Sequence, residues 1–292
     1  MIVLELLKAL FYGVLEGITE WLPVSSTGHI ILLSHLLPLD FSGICSNKFA
    51  TEFFEMFEVV IQLGAVLDVA VLFFGDLNPF VSLKKGLLDR SRLSLWIKIG
   101  VACMPSAAAG IFLQTCFPVL LDSLYTPSVV AAMLLLYGAL FIVIERVKEK
   151  GRKNEYGIED ISYVRAFAVG CFQALAIIPG TSRSGATVIG ARCLGMSRSD
   201  AAKFSFFMAI PTMLGASAVK VLGFFGYVSE NHISVPAYSL AILLVAFAAA
   251  FAVSVVSIKF LLAFAAKKGF APFGVYRIIL ALIVILYFAF IK

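Results

Sequence analysis

The sequence carries little charge: only 14% of its 292 residues are Asp, Glu, Lys or Arg, whereas a soluble domain has about 25%. Hydrophobic residues make up 61% of the chain, against about 45–50% in soluble domains. This balance excludes an ordinary water-soluble fold, because a hydrated surface cannot hold so many apolar side chains. Long apolar stretches recur along the whole chain, so we predict a single integral membrane domain over 1–292.

Cysteine and histidine are also scarce, with five and three residues. No two cysteines form a Cys-x-x-Cys pair and no Cys/His spacing resembles a zinc site, which excludes a disulfide framework and a structural zinc site. The net charge of +5 lies mostly in the segments between apolar stretches. That placement is typical of membrane topology and gives no indication of nucleic acid binding.

What the sequence does contain is a series of apolar stretches close to the 20 residues that a membrane-spanning helix needs. We predict six such helices, near 53–75, 95–117, 127–145, 204–228, 236–262 and 270–291. The predicted fold class is therefore an all-α polytopic membrane protein.

Two further apolar regions, 2–37 and 163–196, are interrupted by clusters of Pro, Gly, Ser and Thr at 23–28 and 179–185. Each piece is too short to cross a bilayer alone. Non-helical backbone at membrane depth is tolerated only where protein or a water-filled cavity satisfies its polar groups. We predict that each region forms a re-entrant helical hairpin.

The two interrupted regions resemble each other, which predicts an internal repeat with halves at approximately 1–145 and 146–292. Aligned on their breaks, the regions pair Gly13 with Gly170, Glu16 with Gln173, Ser25 with Ser182, Thr27 with Ser184 and Gly28 with Gly185. A repeat in opposite membrane orientations is an inverted-topology architecture, in which the binding site lies at the midplane between broken helices.

Loop charge predicts the orientation of the chain. Lys and Arg are concentrated in the loops at 76–94, 146–153 and 263–270, and Arg198 and Lys203 follow the second break, whereas the loops at 118–126 and 229–235 have neither. By the positive-inside rule the first four segments face the cytoplasm and the last two loops face outward. On this topology the two hairpins enter the membrane from opposite faces.

The first break follows two acidic residues, Glu16 and Glu20, which are four apart and therefore share one helix face. Carboxylates inside a membrane are energetically costly and usually mark an ion site, a proton relay or a catalytic site. Together they are candidates to hold a divalent cation through oxygen ligands. The alternative is that one or both lie at the interface and reach water.

Ser25 and Ser26 lie in the first break, and His29 directly follows it. His29 lies three residues past Ser26, on the same helix face, which suits a nucleophile with a general base. Either serine alone is equally explained as the N-cap of a new helix. Ser25 and Thr27 are further candidates for hydroxyl contacts to phosphate.

The second break contains Arg183 between two apolar stretches, flanked by Ser182, Ser184 and Thr187. An intramembrane Arg needs an anionic partner, and its planar fork matches phosphate oxygens. The hydroxyls, the freed backbone N–H groups and the start of the next half-helix all favour a bound anion. The alternative is a structural ion pair between Arg183 and Glu16 or Glu20.

Three other polar residues are predicted to support the site from outside it. Glu58 and Gln62 are four apart in the 53–75 stretch, and Gln173 precedes the second break. Apolar helices around such a pocket would accept a long lipid tail, so the residues alone predict transfer of a phosphoryl group from a lipid.

Both motifs resemble those of a known family. Glu-x-x-x-Glu followed by Pro-Val-Ser-Ser-Thr-Gly-His, and the later Pro-Gly-Thr-Ser-Arg-Ser-Gly-Ala-Thr, are similar to the signatures of the bacterial undecaprenyl-diphosphatase family, the bacitracin resistance proteins. The likeness extends over essentially the whole chain. By motif position the family's key residues fall on Glu16, Glu20, Ser26, His29, Ser182, Arg183 and Thr187.

The resemblance implies hydrolysis of undecaprenyl diphosphate to the monophosphate and inorganic phosphate, which recycles the lipid carrier for cell-wall synthesis. It also implies a need for Mg²⁺ or Ca²⁺ and a site that opens to the periplasmic side of the inner membrane. On this hypothesis Arg183 grips the diphosphate, Ser26 or water attacks the terminal phosphorus, and His29 handles the proton.

Two other functions stay open at this point. A second lipid-phosphatase family has a Pro-Ser-Gly-His motif that Ser-Thr-Gly-His of this chain resembles, but it needs a further His, and none follows Arg183 until His232. A polyprenyl-phosphate flippase or transporter would share the repeat architecture. A homodimer is also open, since the sequence does not fix the oligomeric state.

Overall fold

The computed structural model describes residues 2–40, 47–80, 88–150 and 155–290. Within these ranges the regular structure is helical, apart from one isolated bridge between Tyr156 and Met196. The all-α prediction is therefore confirmed. In chain order the α-helices are α1 Ile2–Thr19, α2 Ser26–Leu36, α3 Asn47–Leu72, α4 Phe74–Leu77, α5 Arg90–Cys116, α6 Pro118–Leu124, α7 Pro127–Lys150, α8 Tyr163–Ala174, α9 Arg183–Cys193, α10 Arg198–Glu230, α11 Ala237–Lys268 and α12 Ala271–Phe290.

Five of these helices, α5, α7, α10, α11 and α12, are long and apolar enough to cross a membrane. Their outward faces remain apolar: Leu222 in α10 is 72% exposed and Val256 in α11 is 68% exposed. Such large exposed apolar surfaces indicate contact with lipid. The chain is a multi-pass membrane protein.

The remaining predicted span, 53–75, forms α3. Its 26 residues give a length of about 39 Å, which is enough to cross a bilayer. It is less apolar than the five spans above, because it carries Glu52, Glu55, Glu58 and Asp68.

Both predicted breaks are present. The helices α2, α8 and α9 have 11, 12 and 11 residues, so each is only about 17 Å long. The fourth piece, α1, is longer than predicted, because its 18 residues extend about 27 Å, close to the thickness of a bilayer core. The two breaks also share their local geometry, because Ser25 has a φ of 75° and Ser182 a φ of 69°. Each of these serines accepts a hydrogen bond from a backbone N–H of the following helix and so acts as its N-cap.

Helix packing repeats in the same way as the sequence. The first half-helix α1 packs along α11, and its counterpart α8 packs along α5. At these contacts Gly13 lies against the carbonyl of Ala246, and Gly170 lies against the carbonyl of Ala102. Since alignment had paired Gly13 with Gly170, the equivalent contacts support the repeat. The division into halves at 145 and the orientation of each half stay predictions.

A buried ion cluster ties together the ends of three helices away from the breaks. Glu145 in α7 accepts a 2.7 Å hydrogen bond from Nε of Arg198 in α10, and lies 3.4 Å from Nε of Arg192 in α9. Arg192 also contacts Glu155 at 2.9 Å. Each buried charge therefore has a partner of opposite sign, as its stability inside a protein requires.

Candidate active site

The two helix breaks meet through an ion pair between Arg183 and Glu20. Nη2 of Arg183 lies 2.8 Å from Oε1 of Glu20, and the two side chains are only 12% and 5% exposed. A second contact supports the first, because the Ser184 hydroxyl donates to the backbone carbonyl of Glu20 at 3.1 Å. Residues 163 positions apart in sequence thus form one polar site inside the helix bundle.

Ser26 is the serine that joins this site. Its hydroxyl donates to Oε2 of Glu20 at 3.0 Å, so Glu20 bridges Ser26 and Arg183. The side chain of Ser25 instead accepts the N–H of Gly28 at 3.4 Å, as an N-cap. The sequence left open which serine caps α2; the structure gives that role to Ser25 and leaves Ser26 available for chemistry.

His29 makes different contacts from those predicted. Its Nδ1 lies 2.7 Å from the carbonyl of Ser25, and its Nε2 lies 2.7 Å from the hydroxyl of Tyr276 in α12. The two rings are nearly parallel, with centroids 5.7 Å apart. Both ring nitrogens therefore have partners other than Ser26. The predicted Ser26–His29 pair is not formed, because Glu20 is within reach of the hydroxyl and Tyr276 is within reach of the imidazole.

Arg183 is held from two further directions. Its Nη1 donates to the carbonyl of Ser205 in α10 at 2.7 Å, and the guanidinium lies 5.7 Å from the centroid of the Trp21 ring. Its Nε is buried and has no hydrogen-bond partner among the described residues. The alternative of an ion pair with Glu20 is thus realised, and an incoming phosphate must compete with this carboxylate for the guanidinium.

The hydroxyls of the second break fall into two groups. Ser182 caps α9 through the N–H of Gly185 at 3.2 Å and lies 3.1 Å from the hydroxyl of Ser184. Thr187 is buried, and its hydroxyl contacts the carbonyl of Arg183 and, at 2.5 Å, the hydroxyl of Ser205. The first group borders the ion pair, whereas Thr187 joins α9 to α10.

The chain is similar to known proteins over nearly its whole length. A family model described as bacitracin resistance protein BacA matches residues 9–283. The chain belongs to the BacA family. A protein of Enterococcus faecalis named undecaprenyl-diphosphatase is 48% identical over 97% of each chain. Proteins of the same name from Desulfitobacterium hafniense and Streptococcus equi subsp. zooepidemicus are 45% and 44% identical, over 99% of this chain and 98% and 99% of theirs.

Glu16 is the residue of this BacA-family site that most clearly lacks a partner. Its side chain is fully buried, and neither carboxylate oxygen accepts a hydrogen bond from an amide, hydroxyl or cationic donor in the part of the chain that the structure describes. It lies beside the carboxyl group of Glu20, one turn later in the chain, and interacts electrostatically with Glu20, Glu58 and Arg183. An orphaned buried carboxylate beside a second carboxylate suits a hard divalent cation, which takes oxygen ligands.

Protein side chains would supply only part of such a coordination shell. Among the described residues no group of three or more His, Cys, Asp or Glu side chains is arranged to hold a metal ion. Mg²⁺ is commonly bound by one or two carboxylates, with water and substrate phosphate completing its shell. Glu16 and Glu20 therefore fit an ion that binds together with a phosphate group.

The predicted supporting residues lie at different distances from the BacA-family site. Gln173 donates from Nε2 to the hydroxyls of Ser106 at 2.7 Å and Thr212 at 3.4 Å. Both hydroxyls line a cavity of about 900 Å³ between α3, α5 and α10. Glu58 interacts with Glu16 by electrostatic repulsion. No hydrogen bond within the described ranges links Gln62 to the site. No contact of the Thr27 hydroxyl is seen there either.

Sequence analysis missed three residues that touch the site. Tyr276 contacts His29, Ser205 contacts Arg183, and Arg277 contacts both breaks. A signal existed for Arg277, because it is an Arg within the apolar stretch 270–291, and intramembrane charges usually mark a site. Ser205 also had a signal, because it lies in a Phe-Ser-Phe run that resembles the family, whereas no comparable signal existed for Tyr276.

Proposed function

We propose that this chain is a membrane-embedded phosphatase that hydrolyses undecaprenyl diphosphate to undecaprenyl phosphate and inorganic phosphate. The observation that carries the proposal is the contact of Glu20 with both Arg183 and Ser26 across the two breaks. It brings a phosphate-binding cation, a hydroxyl and a base together in a buried site. Relatives that are 43–48% identical carry the name undecaprenyl-diphosphatase.

Substrate binding begins at Arg183. Its guanidinium takes up phosphate oxygens in place of the Glu20 carboxylate, because the dianionic terminal phosphate is the stronger partner for a planar cation. The N-termini of α2 and α9 add positive potential at the same place. The exchange releases Oε1 of Glu20 from the guanidinium, while Oε2 keeps the hydrogen bond from Ser26.

The Ser26 oxygen then attacks the terminal phosphorus, and the anhydride bond to the inner phosphate breaks. The serine proton passes to Glu20, to which the hydroxyl already donates at 3.0 Å. Undecaprenyl phosphate leaves, and water releases the phosphate from Ser26. In this scheme His29 orients the first turn of α2 through Ser25 and does not take the proton.

A divalent cation, Mg²⁺ or Ca²⁺, belongs to the proposal. Glu16 and Glu20 would hold it, and it would neutralise charge on the diphosphate. We also place the protein in the bacterial inner membrane with its site open to the periplasmic side. The absence of Lys and Arg from the loops at 118–126 and 229–235 supports the placement of these two loops on the periplasmic side.

A phosphate-release assay tests the proposal. The purified protein in detergent receives a polyprenyl diphosphate, and both inorganic phosphate and the lipid monophosphate are quantified. We expect release by the wild type and a loss of about 100- to 1,000-fold in Arg183→Ala. Arg165→Ala is the matched control, because Arg165 stacks on Tyr156 at 4.4 Å, outside the site.

Reconstitution of the purified protein into lipid vesicles distinguishes hydrolysis from transport. If vesicles containing the wild type move a labelled polyprenyl phosphate between leaflets but release no phosphate, the chain is a flippase and the proposal is wrong. Equal phosphate release by Arg183→Ala and the wild type would also contradict it, because the proposed substrate contact would then be dispensable.

A further inference from the structure

Arg277 lies fully buried in α12, among apolar neighbours. Its guanidinium donates to three backbone carbonyls from both helix breaks. Nη1 reaches the carbonyl of Pro23 at 3.3 Å, while Nη2 reaches those of Gly180 at 2.6 Å and Thr181 at 3.0 Å. One side chain from a third element therefore connects the two broken segments.

These carbonyls need such a donor. Where a helix is interrupted, backbone carbonyls lose their intrahelical partners, and no water-rich surface is available to replace them at membrane depth. In the part of the chain described, Arg277 has no ion pair with a carboxylate. The ring of Tyr137 lies 5.6 Å from the guanidinium and stabilises the cation from one side.

The contacted carbonyls immediately precede the reactive residues. Pro23 is two residues before Ser25, and Thr181 is next to Ser182, the two serines that cap α2 and α9. Ser26 and Arg183 are the first residues of those helices. A shift of either break would therefore move a reactive group directly.

The guanidinium also lies close against α9 itself. A Cβ at Gly185 would come within 3.2 Å of Nη1 of Arg277, so glycine at this position leaves room for the cation. The neighbouring residue in α12, Tyr276, contacts His29 in α2. Consecutive residues of α12 thus reach both half-helices of the site.

We propose that Arg277 is a positioning residue for the phosphatase reaction. It fixes the separation of the two breaks so that Ser26 and Arg183 act on the same diphosphate. This inference rests on the proposed function for its catalytic consequence, but the mechanical role of Arg277 does not depend on that function.

Two measurements on Arg277→Met and Arg277→Lys test the proposal. The first is steady-state kinetics with a polyprenyl diphosphate on protein that elutes as a folded species. A displacement of about 1 Å between reacting groups can reduce turnover about 100-fold, so we expect a loss of that size in kcat for Arg277→Met. Arg277→Lys keeps the charge and some donors, and it should recover part of the loss.

The second measurement is hydrogen–deuterium exchange, which requires no activity. We expect faster exchange in Arg277→Met at both 20–28 and 178–186. The control is Arg192→Met, which removes an equally buried Arg from the opposite end of α9. It should loosen that end of the helix while leaving kcat of the folded protein close to the wild-type value.

The outcomes separate the two proposals. If exchange at the two breaks is unchanged in both Arg277 variants, or if their kcat equals that of the wild type, Arg277 is not a positioning residue. If the wild type itself releases no phosphate while both breaks loosen in Arg277→Met, the phosphatase function fails and only the mechanical role survives. If Arg277→Met does not fold, Arg277→Lys gives the same two readouts.

Discussion

Arg183 and Glu20 neutralise each other across the junction of the two helix breaks, at an N–O distance of 2.8 Å. Glu20 directly follows the last residue of α1, and Arg183 is the first residue of α9. The pair therefore connects the internal repeats and also forms the reactive part of the proposed site. Because this contact contributes to both the fold and the proposed chemistry, a mutation in it should change stability and turnover, and the two effects can be measured separately.

Glu20→Gln is expected to weaken the fold and strengthen anion binding. The substitution keeps the shape of the side chain but leaves Arg183 as an unpaired buried charge, which costs about 3–5 kcal/mol. Pyrophosphate should then raise the thermal unfolding midpoint more in the variant than in the wild type, while kcat collapses because Ser26 loses its base. Equal stabilisation of the two proteins by pyrophosphate would show that Glu20 does not compete with phosphate.

The control for this experiment is Glu5→Gln. Glu5 is buried and lies 2.8 Å from Lys8, so its loss also breaks an ion pair. Since this pair lies at the far end of α1, the response to pyrophosphate should match that of the wild type.

Ser26→Ala and Ser25→Ala should separate chemistry from capping. Removal of the Ser26 hydroxyl should reduce kcat by about 100-fold or more without changing the unfolding midpoint. Removal of the Ser25 hydroxyl loses a cap worth about 1 kcal/mol, which lowers the midpoint by about 2–4 °C. Full activity in Ser26→Ala would assign the attack to a water molecule.

The sequence was sufficient for those parts of the site that depend on local composition. A cluster of Pro, Gly, Ser and Thr inside an apolar run predicted both breaks, and a charge with no solvent nearby predicted that Arg183 would find an anion. The ion pair with Glu20 was one of two alternatives, because sequence spacing does not tell how close two separate hairpins approach.

The sequence was not sufficient for contacts that depend on packing between distant helices. Nε2 of His29 contacts the hydroxyl of Tyr276, which lies 247 residues away, so local spacing could offer the hydroxyl of Ser26 but not this one. Thr187 was predicted to bind phosphate, but its hydroxyl contacts Ser205 in the structure. The direction of a hydroxyl depends on the rotation of its helix against the next one, and neither motif encodes that rotation.

Glu16→Gln should stabilise the cation-free protein and abolish its response to divalent ions. Both carboxylate oxygens of Glu16 are buried, and without a bound cation an ionised carboxylate there is a buried charge, which is costly and which the neutral Gln side chain does not carry. Thermal unfolding with and without Mg²⁺ or Ca²⁺ measures both effects. A cation-induced shift that persists in the variant would place the ion elsewhere.

Asp68→Asn provides the matched control for Glu16. Asp68 in α3 is also fully buried, and it forms no ion pair within the described ranges. Its replacement should stabilise the protein to a similar extent but leave the response to divalent ions intact. The comparison separates relief of a buried charge from loss of an ion ligand.

Tyr276→Phe tests whether His29 orients the helix or handles the proton. The variant removes the hydroxyl at 2.7 Å from Nε2, a bond worth about 1 kcal/mol. If His29 orients α2, kcat should fall about fivefold and its pH profile should keep its shape. A change in the pH dependence of kcat would show that His29, and not Glu20, takes the proton from Ser26. Tyr125→Phe, at an exposed position between α6 and α7, should behave as the wild type.

Gly13→Ala and Gly170→Ala test the repeat through helix packing. A Cβ at either position would collide with a backbone carbonyl of the partner helix, that of Ala246 or that of Ala102. Backbone cannot move aside as a flexible side chain can, so α1 and α8 must separate from α11 and α5. Both variants should therefore lose stability by a similar amount, of about 1–3 kcal/mol, measured as a lower unfolding midpoint.

Gly100→Ala in α5 is the appropriate control, because a Cβ there would meet nothing within 4 Å. Alanine in an open helical position should stabilise the protein by about 0.5–1 kcal/mol. The repeat predicts more than two separate losses: it predicts that the two glycines are equivalent. If Gly170→Ala destabilised the protein while Gly13→Ala behaved like Gly100→Ala, the two helix pairs would not be structural counterparts, and the alignment that pairs Ser25 with Ser182 would lose its physical basis.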